Sequence, residues 1–208
     1  MTLNINRFAA ALLVSVILFA GCGGTITKVL SPAPTYTGAT PVTRLYLYVF
    51  LDARPEYMHP VFRRIFEKQL TETFAQASVA TRQLWLMDTL AGELLSLDVK
   101  ANTIGKALSI PVGRAIRDNR RSEISFNATH RLVVFPRNTY KENWPNSGVK
   151  FDIKWDIIDT TTGYYEWSVY TKSPALSKTM SDSDAEAAAR DLIKSIATEM
   201  RARSVIQN

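Results

Sequence analysis

Few side chains in this chain are equipped for chemistry. Its 208 residues include two histidines, His59 and His130, and one cysteine, Cys22. Histidine is the usual proton carrier near neutrality, but neither histidine sits in a catalytic pattern. His59 stands directly before a helix-starting Pro60, and His130 leads into an apolar run. The chain has no HExxH helix, CxxC pair, glycine-rich phosphate loop or GxSxG elbow. Asp156 and Asp159 flank a turn, where turn chemistry and solvation account for them. Asp88, Glu93 and Asp98 are scattered around a helical stretch. The expectation is a protein without catalytic residues, metal ligands or a diffusible cofactor. The enzyme alternative is a hydrolase using His130 or His59 with a nucleophile that no motif marks.

Two surface features point to binding instead. Arg114, Arg117, Arg120 and Arg121 close a basic segment that reads as a short helix. Guanidinium forks match carboxylate and phosphate, so the four are candidates for an anionic glycan, lipid or phosphate. The competing reading is a solvated face paired locally with Asp118 and Glu123. Residues 137–148 read as a polar loop, and Trp144, its one large apolar side chain, is a candidate partner anchor. Equally, it folds back onto the sheet. A nucleic-acid function calls for a basic stripe and a recognisable module, and the sequence displays neither.

Cys22 is explained by what precedes it. Arg7 is the only charge in the first 27 residues, and residues 8–20 are apolar except for Ser15. A basic start, a short apolar run and small residues at its end form a secretory signal. The run is shorter than the roughly 20 residues of a membrane-spanning helix. Phe19-Ala20-Gly21-Cys22 resembles the lipobox of bacterial lipoproteins, with Phe19 where that family usually has leucine. The resemblance implies cleavage of residues 1–21 and a covalent lipid on Cys22. Gly23, where aspartate would retain an enteric lipoprotein at the inner membrane, implies an outer-membrane anchor with the domain facing the periplasm. Removing residues 1–21 takes away one basic residue and no acid, leaving 24 basic and 19 acidic residues. The modest positive charge favours anionic envelope partners. With no second cysteine, hydrophobic burial must hold the fold together.

The elements that follow predict an α+β fold: one mixed sheet, a long helix after the first strand, and a C-terminal helix packed on it. Residues 22–41, rich in Gly, Thr, Ser and Pro, read as a tether of up to about 60 Å. Residues 26–30 are alternatively an edge strand. The domain then occupies residues 42–208. Residues 42–51 alternate as a strand whose Tyr46, Tyr48 and Phe50 face calls for cover. Residues 59–77 carry a helical stripe from Val61 to Ala77, and residues 82–88 a second strand. Residues 131–135 read as a strand ended by Pro136. Residues 149–172 form a hairpin, apolar on one face and charged and water-facing on the other. Residues 181–204 close the chain as a helix, with Ser183 and Glu186 spaced as a capping box.

The hairpin turn Asp159-Thr160-Thr161-Thr162-Gly163, followed by Trp167, resembles the D-x-x-T-G-x-x-x-W turn of several periplasmic lipoprotein domains. These are the LpoB-type penicillin-binding-protein activators, the CsgG-type curli secretion lipoproteins and domains like the N-terminal domain of TolB. The resemblance implies a shared scaffold and an envelope protein partner. It carries no binding or catalytic residue with it.

Overall fold

The computed structural model describes residues 26–28, 40–51, 58–86, 113–142, 148–173 and 179–207. Six strands form one sheet: β1 (Ile26–Lys28), β2 (Arg44–Val49), β3 (Ala80–Trp85), β4 (His130–Glu142), β5 (Gly148–Asp159) and β6 (Tyr165–Lys172). Their order across the sheet is β1-β6-β5-β4-β2-β3. β2 is parallel to both β3 and β4, whereas β4-β5, β5-β6 and β1-β6 are antiparallel. The mixed sheet, the helix after β2 and the C-terminal helix match the expected α+β architecture.

Helix α1 (Pro60–Gln76) forms because Pro60 occupies its first turn and apolar residues recur at helical spacing. His59 caps it, its Nδ1 accepting from the Val61 amide at 3.3 Å. Phe62, Ile65, Phe66, Leu70 and Phe74 are buried against the sheet. Helix α4 (Asp182–Ala202) lies beside it on the same face. Ala185, Ala188, Ala189 and Ala197 are buried along α4 and allow close approach, while Leu192, Ile193, Ile196 and Met200 fill the core. The N-cap is Ser181 rather than Ser183: its hydroxyl accepts from the Asp184 amide at 3.1 Å and donates to the Asp184 carboxylate at 2.6 Å. Glu186 instead pairs with Arg190 one turn on.

Between the helices and the sheet lies an apolar layer built from Leu45, Leu47, Val49, Leu132, Val134, Ile153, Trp155, Ile157, Trp167 and Val169. Phe66 stacks on Trp155 with centroids 6.0 Å apart, and the Trp155 indole donates to Thr171 Oγ1 at 2.9 Å. The opposite face of β2 also needs cover, as its aromatics indicated. Tyr46, Tyr48, Phe50, Val133 and Ile158 pack there beneath Ala115, Ile116 and Phe126.

That second cover consists of α2 (113–118) and α3 (Arg120–Ser125). Helical hydrogen bonding runs through the turn between them, with the Asn119 amide donating to Ala115 and the Glu123 amide to Asn119.

Four sequence expectations change. β4 does not stop at Pro136 but runs to Glu142, with a register shift between Pro136 and Asn138. Pairing with β2 has already ended at Val134, so the missing proline N–H falls beyond that ladder. Residues 138–142, expected in a loop, therefore belong to a strand paired with residues 148–152. Ile26–Lys28 is the edge strand left open by the sequence, paired with Tyr170–Lys172. The polar hairpin face is also not all water-facing, because Asp156 is buried with Lys154 and Ser168 as partners.

Candidate functional site

Two polar assemblies stand out, one buried and one exposed. The buried one collects at the hairpin turn. His130, Asp159 and Glu166 bring one potential ligand atom each within 4.8 Å of one another. β4 delivers His130 directly opposite Asp159, and the register shift after Ile157 brings in Glu166 from β6. His130 Nε2 lies 2.9 Å from Glu166 Oε2, and Nδ1 lies 3.1 Å from Thr129 Oγ1. The same hydroxyl accepts the amides of Thr43 and Arg44 at 3.3 and 3.2 Å. The hydroxyl's own proton is directed at the Arg44 carbonyl at 3.2 Å, and the Glu166 carboxylate, an acceptor, takes Nε2–H of the ring. Asp159 Oδ1 accepts the amides of Thr161 and Thr162 at 2.7 Å each. Burial alone would raise the Asp159 pKa, but these amides with the hydroxyls of Thr40 and Thr162 hold it below the usual carboxylate range. The donor set suits a divalent cation in residue type. Its lone pairs and protons are nonetheless already matched to each other, so the geometry reads as a hydrogen-bonded turn node. His130 is fully buried, out of reach of a substrate atom in this conformation.

The exposed assembly is the outer surface of α2 and α3. Arg114, Arg117, Arg120 and Arg121 are all exposed there. Arg117 lies 3.7 Å from Asp118, while Arg114, Arg120 and Arg121 have no ion pair among the described residues. Glu123, one of the two acids expected to neutralise them, is turned inward and is 3% exposed. Its carboxylate accepts from Arg131 at 2.7 Å and from Tyr48 at 2.8 Å. Burial, followed by the hydrogen bond to Glu123, drives the Tyr48 phenol far above its ordinary pKa. This buried triad bolts α3 to the sheet and removes a negative charge from the surface. Two further exposed arginines adjoin the end of α3. The guanidiniums of Arg44 and Arg82 stand 4.6 and 5.6 Å from the Phe126 ring centroid. Neither was legible as part of the patch, because β2 and β3 reach it only through the parallel pairing of Tyr46 with Arg82.

The remaining candidates are placed differently. His59 is a buried cap, 3.6 Å from Asp182 at the start of α4, and joins the two helix N-termini. Cys22, Trp144, Asp88, Glu93 and Asp98 lie outside the described residues. A concave surface of about 620 Å³ lies between α1 and the outer strand β3, lined by Arg64, Glu67, Lys68, Thr71, Gln83 and Trp85 among others. Among the described residues, Gln83 Oε1 and Trp85 Nε1, both buried there, have no hydrogen-bond partner.

No family model matches the chain, and no curated protein is similar to it. Among solved structures, it is similar to the PelC dodecamer from Paraburkholderia phytofirmans at 12% identity and a TM-score of 0.40, over 81% of this chain and 95% of that one. A variant of that dodecamer matches at 10% identity and 0.41, over 85% and 98%. Lipoprotein GNA1162 from Neisseria meningitidis matches at 12% identity and 0.37, over 75% and 99%. Likeness at this level carries nothing about function.

Proposed function

We propose that this chain is an exported lipoprotein, acylated at Cys22 and held at the inner face of the outer membrane. Its domain acts as a non-catalytic binding module for an envelope protein. The observation that carries the reading is the run from Arg7 to Cys22, whose composition and length are those of a lipoprotein export signal. The hairpin turn from Asp159 to Trp167, which resembles that of periplasmic lipoprotein domains, supports the same placement. No helix among the described residues is long and apolar enough to cross a membrane. The place of β1 sharpens the geometry of attachment. Ile26 follows Cys22 by four residues and is paired opposite Lys172, so an acylated Cys22 lies within about 14 Å of that end of the sheet. The domain then sits close to the bilayer instead of ranging over a lead of about 60 Å.

The α1–β3 concavity is the surface best suited to a protein partner. β3 is the last strand of the described sheet, and the concavity between it and α1 gives an extended segment added along that strand a surface to pack against. Crosslinking in intact cells, followed by detergent purification of the full chain, is expected to recover one specific envelope protein. Trp85→Phe, which removes the indole N–H together with the bulk of its second ring from the lining of the concavity, should reduce that recovery. Recovery of no protein at native expression levels would contradict the reading.

A further inference from the structure

We infer that the α2–α3 surface is a binding strip for a linear polyanion, specifically an acidic polysaccharide. The inference rests on the envelope location proposed above for the class of ligand, and on the strip itself for its charge. Arg114, Arg117, Arg120 and Arg121 share the exposed side of one nearly continuous helical segment, whose inner side packs the half-buried Ala115, Ile116 and Phe126 against the sheet. Arg44 and Arg82 extend the row at the Phe126 end. From Arg114 to Phe126 the helical rise is about 18 Å, so the row is a line of charge and not a point. A single phosphate would occupy a small part of it, whereas a chain carrying a negative charge on successive residues would meet cation after cation.

The charge balance favours a ligand over self-neutralisation. Asp118 is the exposed carboxylate within this helical segment, and among the described residues its ion pair is with Arg117. Glu123 is committed to Arg131 and Tyr48 beneath the helix. Unneutralised neighbouring guanidiniums repel one another, a cost that an incoming polyanion removes. Three features select a glycan. The exposed large apolar side chain on this segment is Ile124, at 62% exposure, too little apolar surface to seat a helix in a bilayer. The Phe126 ring is already occupied by Arg44, Arg82 and the edge of Tyr46, which leaves no platform for stacking bases. Guanidinium forks pair bidentately with the carboxylates of a uronic acid polymer.

The test uses the purified full chain and alginate oligosaccharides of defined length, measured by titration calorimetry. Binding is expected to tighten with oligosaccharide length and to weaken about tenfold to a hundredfold between 50 and 200 mM salt. The combined Arg114→Gln, Arg117→Gln, Arg120→Gln and Arg121→Gln variant should lose at least tenfold in affinity and show a flatter salt dependence. Arg190→Gln with Arg203→Gln, on the far helix and at its C-cap, should bind as wild type does. Equal affinity in the quadruple variant, absence of binding to alginate, or tighter binding to single-stranded DNA of equal charge would each overturn the proposal. Circular dichroism and urea unfolding of the quadruple variant establish that it is folded. Alginate binding does not depend on lipidation. A correctly acylated chain that ignores alginate sinks this inference alone, and a non-acylated chain that binds it sinks only the envelope reading.

Discussion

Replacing Glu123 by glutamine tests how the basic surface is built. The side chain keeps its shape and can still accept from Tyr48, but it loses the charge that compensates Arg131. The two side chains are 4% and 10% exposed, so solvent screens little of the change. Arg131 Nε is already buried without a partner among the described residues, which leaves the guanidinium no second acceptor there. Removing one member of a buried ion pair costs about 3–5 kcal/mol, and the lower end applies where the amide retains hydrogen bonds. With a urea dependence of about 2 kcal/mol/M, a loss of about 3 kcal/mol lowers the unfolding midpoint by about 1.5 M. Equilibrium urea unfolding followed by far-ultraviolet circular dichroism measures it directly. The triple variant Tyr48→Phe, Glu123→Leu, Arg131→Met replaces the whole polar triad by apolar groups of similar size. It should recover to within about 1 kcal/mol of wild type. If Glu123 instead lay outward among the arginines, Glu123→Gln would cost under about 1 kcal/mol, as exposed pairs do. That small value would refute the inward placement and the charge argument built on it.

Asp159 contributes stability that depends on pH. Its folded pKa is depressed, so the contribution is full above the unfolded value near about 3.9 and is lost as pH falls through the folded one. The stability gap between wild type and Asp159→Asn should therefore be constant near neutrality and close below about pH 4 in urea titrations at successive pH values. Ser78 and Ser204 hold positive φ of 58° where α1 and α4 end, and the following amides close back onto Phe74 and Met200. Because glycine adopts that conformation without the Cβ clash, Ser78→Gly and Ser204→Gly should each stabilise the protein by up to about 1 kcal/mol, measured by thermal or urea unfolding.

The elements whose side chains repeat with one period over many residues were legible in the sequence: β2, α1, the β5–β6 hairpin and α4. Tyr46, Tyr48 and Phe50 even announced a second covering layer. What escaped depends on distant contacts. Pro136 reads locally as a strand end, and only the shorter length of β2 reveals why β4 continues past it. Glu123 reads as one acid among arginines, because its burial depends on Tyr48 and Arg131, which arrive on other strands. Arg44 and Arg82 join the basic strip only once the parallel pairing of β2 with β3 sets them beside Phe126. The Ser181 cap was missed in favour of Ser183 because both serines precede an acid three residues on, at Asp184 and Glu186. The His130 node was visible only as an isolated histidine, since Asp159 and Glu166 meet it through the register of β4, β5 and β6.

The most direct test of the proposed function is intact-mass and peptide mass spectrometry of the mature N-terminus, comparing the wild-type chain with Cys22→Ala after expression in a bacterium that processes lipoproteins. The expected result is a wild-type chain beginning at Cys22 with added acyl mass on that residue, and a Cys22→Ala chain that carries no lipid. A wild-type N-terminus elsewhere, or an unmodified Cys22, would contradict it.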